Sequence, residues 1–195
     1  MKNIQVIIGS VREGRLGKRI ADWLLSEIGN NPDFNFEVID LKDWHLPMKM
    51  ETALPASGSY SDPQTIKWAT KVAKADGYIF ITPEYNHGYP ASLKNAIDHL
   101  YLEWQKKPVA FVGYGVLGAA RSIEQLAQVT SQIGMMPLQM SSINIISLRD
   151  AFDEDGKLMG DHVKGNIEKM IEQLNWWADA LKTARNKECI KKALV

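Results

Sequence analysis

Residues 4–18, which read IQVIIGSVREGRLGK, carry the strongest indication of the fold of this chain. The first five of these residues form an almost continuous apolar run, which is typical of a strand covered on both faces of a sheet. A turn rich in glycine and arginine follows, and the next residues have the spacing of a helix. A strand, a tight turn and a helix in this order predict the first unit of a parallel α/β sheet.

The rest of the chain repeats this alternation of short apolar runs and amphipathic stretches. We predict further strands at residues 36–40, 78–81 and 108–112, and a weaker fifth strand within residues 137–146. We predict helices at residues 16–28, 63–73, 90–101, 118–133 and 161–185, where Asp62 and Pro63 are a typical start for the second helix. The long connection at residues 41–61 is a candidate functional loop. Together these elements predict one three-layer α/β domain over residues 1–195, with five parallel strands flanked by helices.

The composition narrows the range of partners. The 195 residues include 23 basic and 23 acidic side chains, so no global field attracts nucleic acid or an anionic membrane. The first apolar run is too short for an export signal or a membrane span, which predicts a cytoplasmic protein. The single cysteine, Cys189, excludes an internal disulfide, and we expect it to be inert. The four histidines are scattered along the chain, so we predict no metal site.

The loop after the first strand has the features of a phosphate-binding turn. Its glycines allow tight turning, and Ser10, Arg12 and Arg15 offer a hydroxyl and two guanidinium groups that suit phosphate oxygens. The amides at the start of the following helix point at the same place, and the helix dipole favours an anion there. The loop lacks the Walker and Rossmann glycine patterns. Its composition alone is equally compatible with a solvated basic turn.

Two further loops follow the third and fourth strands, at residues 82–90 and 113–118. In an open α/β sheet, ligands bind outside the carboxyl ends of the strands, so the three loops should meet at one edge. The backbone of the second loop could reach the edge of a flat heterocycle, and Tyr85 offers a surface against it. The glycines of the third loop let a ligand approach closely. A phosphate loop beside two ring-binding loops predicts a site for a mononucleotide.

These loops carry three motifs: Gly9-Ser10-x-Arg12, Pro83-Glu84-Tyr85-Asn86 and Leu93-Lys94-Asn95-Ala96-Ile97-Asp98. In these motifs the chain resembles the NADPH-dependent FMN reductase family, which includes quinone, azo-dye and chromate reductases. The resemblance extends over about residues 4–146 and rests most heavily on the second motif. It implies a flavodoxin-like fold with strand order 2-1-3-4-5, a bound flavin mononucleotide (FMN), and NADPH or NADH as the hydride donor.

The resemblance also implies which residues hold the cofactor. The phosphate would lie against the first loop, the isoalloxazine edge against the second, and the pyrimidine side against the third. The candidate cofactor-binding residues are Ser10, Arg12, Arg15, Leu16, Gly17, Lys18, Pro83, Glu84, Tyr85, Asn86, Gly113, Tyr114 and Gly115. Because the flavin itself carries the hydride chemistry, we predict no side chain as a catalytic acid, base or nucleophile.

The implied activity is that of an enzyme in which electrons pass from the nicotinamide to the flavin and then to a quinone or similar electrophile, in a ping-pong cycle. A flavodoxin-type electron carrier and a non-enzymatic redox sensor stay open as alternatives, although the loop arginines and the zero net charge argue against the carrier. The resemblance further implies a homodimer or homotetramer, with residues 86–101 as a candidate interface. We expect Asp40 to be structural, and His87 to lie beside the ring or at that interface.

Overall fold

A computed structural model of the chain describes residues 1–49, 51–148, 150–154 and 157–193, and the side chains among them up to residue 187. The sheet is formed by β1 (Lys2–Ile8), β2 (Phe34–Asp40), β3 (Gly77–Pro83), β4 (Pro108–Tyr114), β5 (Met136–Pro137), β6 (Ile143–Ile145) and β7 (Val163–Lys164). The strand order is β2-β1-β3-β4-β6-β7, and β5 also pairs with β4. These pairs are parallel except β6 with β7, which confirms the predicted parallel order. The side chain of Cys189 lies outside the described residues, so its inert role stays a prediction.

The fifth strand position differs from the single strand that we predicted within residues 137–146. Two short strands, β5 and β6, lie beside β4, and a 3₁₀ turn at Gln139–Ser141 separates them. Pro137 has no amide hydrogen, so a regular hydrogen-bonded ladder cannot continue through it. β7 then adds a two-residue antiparallel edge next to β6, which the sequence pattern did not predict.

The described helices are α1 (Gly17–Ile28), α2 (Pro63–Ala73), α3 (Ala91–Asp98), α4 (Ala120–Gln132) and α5 (Ile167–Ala193). α2 begins as predicted, because the Asp62 carboxylate accepts hydrogen bonds from the amides of Gln64 and Thr65. α3 ends at Asp98 rather than at residue 101, since the amide of Leu100 bonds to Ile97 in a tighter turn. α5 begins at Ile167 rather than at residue 161, because residues 163–164 are held in the sheet as β7.

The central strands are buried on both faces, as their apolar runs predict. One core packs between the sheet and α2, α3 and α4, and the other packs between the sheet and α1 and α5. This arrangement leaves the carboxyl ends of β1, β3 and β4 side by side, with Ile8 paired to Ile81 and Ile81 paired to Val112. Since neighbouring strands lie about 4.8 Å apart, the three loops that follow them start next to one another.

Candidate functional site

The first loop, residues 9–16, turns so that α1 starts directly beside the end of β1. The amide of Arg15 donates to the carbonyl of Arg12 at 3.3 Å, and Gly14 adopts a left-handed conformation with φ 67°. Glycine takes this conformation without strain. At Gly17, the first residue of α1, a Cβ atom would lie 2.6 Å from Cγ2 of Ile8. The close approach of α1 to β1 therefore requires glycine at this position.

The N-terminus of α1 is suited to an anion. No side chain caps it, and its first turn contains no acidic residue. The amides of this turn therefore point out of the helix at the positive end of its dipole, without a side-chain acceptor. Lys18, whose amide we predicted as a phosphate ligand, directs its ammonium group to Asp22 at 3.1 Å on the surface.

A hydrogen bond connects the first loop to the second. Ser10 is buried, and its hydroxyl lies 2.6 Å from the hydroxyl of Tyr85. The amide of Arg12 also donates to the Ser10 hydroxyl, at 3.4 Å. The Arg12 guanidinium is exposed and lies 5.9 Å from the centre of the Tyr85 ring. Two residues predicted for the phosphate and one predicted for the ring are therefore neighbours.

Arg15 lies between the first loop and the end of β2. Its guanidinium donates to Oδ2 of Asp40 at 2.5 Å, and both side chains are largely buried. Oδ1 of Asp40 accepts a hydrogen bond from the amide of Lys42 at 3.0 Å. Asp40 thus has the structural role that we expected. Nε of Arg15 is buried and has no partner among the described residues.

The second loop opens with a tight turn over residues 85–88. The amide of Tyr85 donates to the carbonyl of Gly88 at 2.8 Å, and the amide of Gly88 donates to the carbonyl of Tyr85 at 3.1 Å. The two central residues, Asn86 and His87, have positive φ angles of 49° and 75°, as a type I′ turn requires. Asn86 is exposed at the tip of this turn. His87 is also exposed, and its carbonyl accepts a hydrogen bond from Gln125.

Glu84 is held by a residue that the sequence analysis did not identify. Its carboxylate pairs with the guanidinium of Arg121, and it also accepts a hydrogen bond from the Arg121 amide at 3.2 Å. Burial raises the pKa of Glu84, but the hydrogen bonds and the charge of Arg121 outweigh burial and hold the pKa below its ordinary value. Glu84 is therefore ionised and neutralised locally. The two residues are far apart in sequence, so only the folded chain shows the pair.

Tyr114 reaches beneath the first loop from the end of β4. Its hydroxyl is buried near Ser10, has no partner at good hydrogen-bond geometry among the described residues, and lies 3.4 Å from where a Cβ atom at Gly17 would be. Burial raises the pKa of this hydroxyl, so it stays protonated and can donate. We expected Tyr114 to contribute through its backbone. The structure instead places its side chain at the site, as the last residue of a strand rather than in a loop.

The neighbouring glycines allow the third loop to pack closely. At Gly113, also within β4, a Cβ atom would lie 2.4 Å from the carbonyl oxygen of Gly118. Gly115 has a φ of 152°, and its amide donates to the carbonyl of Ile145 at 3.1 Å. Gly113 therefore shapes the loop from beneath, while Gly115 reaches the surface of the site. Pro83, which we placed in the second loop, is likewise the last residue of its strand.

A cavity of about 260 Å³, which we call the site cavity, lies where these loops meet. Its lining residues are Arg12, Glu13, Gly14, Arg15, Leu16, Pro83, Glu84, Tyr85, Tyr114, Gly115 and Leu148. Of the predicted residues, Ser10, Gly17, Lys18, Asn86 and Gly113 do not line it. Glu13, Gly14 and Leu148 line the cavity but were missed. Leu148 follows β6, the neighbour of β4, so the rule that ligands lie beyond strand ends would have pointed to it had β6 been placed correctly.

The residues around the site cavity fit a mononucleotide. The uncapped start of α1 lies beside the guanidinium of Arg12 and that of Arg15, whose charge Asp40 partly balances, an arrangement that suits a phosphate group. The unpartnered Tyr114 hydroxyl offers a further donor. Glu13, an acid on the lining, is paired with Lys42 at 2.9 Å. Among the described residues there is no group of three or more His, Cys, Asp or Glu side chains that could hold a metal ion.

Comparison with known proteins agrees with this geometry. The family model for NADPH-dependent FMN reductase matches residues 2–147. An NAD(P)H-dependent FMN reductase of Schizosaccharomyces pombe is 47% identical over 135 residues, which cover 68% of this chain and 67% of that protein. A second, from Nectria sp, is 32% identical over 200 residues, covering 100% of this chain and 94% of that protein.

Solved structures show the same fold. The flavoenzyme NAD(P)H:(acceptor) oxidoreductase FerB of Paracoccus denitrificans superposes with a TM-score of 0.65 at 25% identity, covering 93% of this chain and 95% of that one. In the part of the chain that the structure describes, no helix is long and apolar enough to cross a membrane. The chain thus belongs to the NADPH-dependent FMN reductase family, and it is a flavin-dependent NAD(P)H oxidoreductase of flavodoxin-like fold.

Proposed function

We propose that this chain binds FMN in the site cavity and uses NAD(P)H to reduce quinones or similar small, flat electrophiles in a ping-pong cycle. The observation that carries this proposal is the convergence of three strand-end loops on one cavity. One side of the cavity offers arginines and an uncapped helix start, and the other offers Tyr85 and Gly115. A phosphate and a flat ring can therefore be held by different loops of the same cavity.

In this proposal each loop holds a different part of the cofactor. The phosphate contacts Arg12, Arg15 and the amides of Leu16, Gly17 and Lys18, while Ser10 holds this loop against Tyr85. The ring lies beside Pro83, Glu84, Tyr85 and Asn86 on one edge and Gly113, Tyr114 and Gly115 on the other. Residues that do not line the cavity, such as Ser10 and Gly113, act from beneath by holding the loops in place.

When bound, FMN supplies the redox chemistry by accepting a hydride from the nicotinamide and returning two electrons to the acceptor. The side chains of the protein bind and orient it and control the charge around it. Because Arg121 neutralises Glu84 and Lys42 pairs with Glu13, neither acid on the cavity lining opposes the negative charge that reduction brings. In a ping-pong cycle the oxidised nicotinamide leaves before the acceptor binds, so both can use the same open face in turn, which suits flat electrophiles.

The experiment that tests this proposal follows the two half-reactions separately. The purified protein is saturated with FMN, freed of excess cofactor and mixed anaerobically with NADPH or NADH in a stopped-flow spectrometer. We expect the visible flavin absorbance to bleach without any acceptor present, and to return when a benzoquinone is added. Parallel double-reciprocal lines in steady-state kinetics should accompany this behaviour.

Three results would contradict the proposal, each in a different part. Failure to retain FMN would refute the assignment of the site cavity. A yellow protein that neither nicotinamide bleaches would favour the electron-carrier or sensor alternatives. Intersecting lines in the steady-state plots would replace the ping-pong cycle by a ternary complex, leaving the cofactor site intact.

We also propose that the chain forms a homodimer or homotetramer through residues 86–101 and acts in the cytoplasm. In support of an interface, Tyr89 and Tyr101 are only partly buried, and Leu102, which follows this segment, is exposed. Sedimentation at several protein concentrations, with and without FMN, tests the assembly. A monomer at micromolar concentration would contradict it.

A further inference from the structure

A second cavity, of about 400 Å³, lies beside the first loop. Val11 lines this cavity, whereas the next residue, Arg12, lines the site cavity, so the two cavities share one loop. Leu41, at the end of β2, and Leu46 and Met48, in the long connection, form most of its remaining apolar wall. We call it the Asn95 cavity, after one of the two polar residues, Ser92 and Asn95, that α3 contributes to its lining.

Asn95 contributes a polar side chain to this lining, together with Lys42, His45 and Ser92. The residue is only 6% exposed, and its Oδ1 is buried without a hydrogen-bond partner among the described residues. Its Nδ2 donates to the carbonyls of Leu46 at 3.1 Å and Pro47 at 3.3 Å. Because Nδ2 already donates to two carbonyls, a flip of the side-chain amide would break both bonds and would not give Oδ1 a partner. A buried amide oxygen in this state needs a donor from a ligand or from water.

The connection that walls the cavity is held in place rather than free to collapse into it. Besides the two bonds from Asn95, Nε2 of His99 donates to the carbonyl of Pro47 at 2.8 Å, and Nε2 of Gln64 donates to the carbonyl of Trp44 at 2.9 Å. His45 within this segment has a φ of 44°, a conformation that is costly for a residue other than glycine. The hydrogen bonds from α2 and α3 hold this strained segment in place, and the cavity therefore stays open.

We propose that the Asn95 cavity is a second binding site, for a phenol-type molecule: a flat aromatic ring that carries at least one O–H group. The hydroxyl would donate to Oδ1 of Asn95, and the ring would contact Val11, Leu41 and Met48. The same oxygen disfavours a carboxylate or phosphate, because two acceptors would face each other. Lys42, at the rim, is already paired with Glu13 and does not offset this repulsion. A quinone, which has only acceptors, gains no hydrogen bond from this oxygen.

The first test compares two ligands that share a ring system and an oxygen, of which only one carries the O–H donor and the other carries a methyl group in its place. The FMN-loaded protein is titrated by calorimetry with 2-naphthol and, in parallel, with 2-methoxynaphthalene, which has the ring system without the O–H. We expect 2-naphthol to bind about tenfold more tightly, the effect of one hydrogen bond to a buried acceptor. Equal affinities, or no binding of 2-naphthol, would overturn the proposal.

The second test locates the bound ring. Val11→Phe should fill the cavity and abolish 2-naphthol binding, while Val38→Phe, a matched change on β2, should leave it intact, since the two valines are 42% and 41% exposed. In the unsubstituted protein, nuclear Overhauser effects between 2-naphthol and the methyl group of Met48 should be seen, so the location does not depend on the folding of a variant. Binding that survives Val11→Phe and shifts the flavin spectrum would put the ring on the flavin and refute the second site.

Discussion

At the residue scale, the most informative side chain is Tyr114, because its hydroxyl is buried without a partner among the described residues. Tyr114→Phe removes a buried polar group that has lost its hydration. The free energy of unfolding of the cofactor-free protein should therefore stay the same or rise by about 1 kcal/mol. The same change removes a donor to FMN, and its affinity should fall about tenfold or more. Chemical unfolding and fluorescence titration measure these opposite effects. A variant that binds FMN as tightly as the parent would show that this hydroxyl makes no hydrogen bond to the cofactor.

Arg12 allows a test of the phosphate assignment by ligand comparison. Its guanidinium is exposed beside the Tyr85 ring and lines the site cavity. Arg12→Ala should weaken FMN by about 1.5–3 kcal/mol, because a charge-assisted contact to the phosphate is lost, and should hardly affect riboflavin, which has no phosphate. Arg12→Lys keeps the charge but loses the planar guanidinium, so its FMN affinity should lie between those of the parent and of Arg12→Ala. Equal weakening of both flavins in the alanine variant would remove Arg12 from the phosphate site.

At the scale of elements, the contact between α1 and β1 supports the phosphate site. In Gly17→Ala the new methyl group would lie 2.6 Å from Cγ2 of buried Ile8, so α1 must shift outwards. We expect a loss of about 2 kcal/mol in the free energy of unfolding, as in other overpacked cores, together with weaker FMN binding. Gly160→Ala is the control, because its Cβ would meet nothing within 4 Å. If Gly17→Ala is as stable and binds FMN as tightly as Gly160→Ala, the close approach of α1 to β1 has no functional role.

The same elements show how far the sequence could lead. The apolar runs of β1, β3 and β4 predicted the buried strands, and the strand-end rule then predicted three converging loops. The sequence did not reveal the pair of Arg121 with Glu84 or the reach of Tyr114 under α1, because both depend on contacts between residues far apart in the chain. The split into β5 and β6 was missed for a local reason, since Pro137 and the following turn interrupt a weak apolar pattern.

At the scale of the whole molecule, the two ends of the parallel strands have different roles. The carboxyl edge holds the site, while the opposite edge, where β4 begins, buries Lys107. Its ammonium group donates to the carbonyls of Val72 and Ala73 at the end of α2, and to the hydroxyl of Tyr78. Burial, followed by the charge of Arg185, nevertheless lowers the pKa of Lys107 from 10.5 to about 7. The amine is therefore poised to titrate in the folded protein near neutral pH.

This shift predicts a pH-dependent stability that is separate from cofactor binding. Between about pH 7 and pH 10 the unfolded chain keeps the Lys107 proton and the folded chain releases it, so stability should rise with pH. Relative to Lys107→Met, which cannot titrate, the parent should gain about 1.4 kcal/mol per pH unit in guanidinium unfolding across this window. FMN affinity should be the same in both proteins, since the site lies at the other edge. Parallel stability profiles would show that the three acceptors keep the amine charged despite its burial.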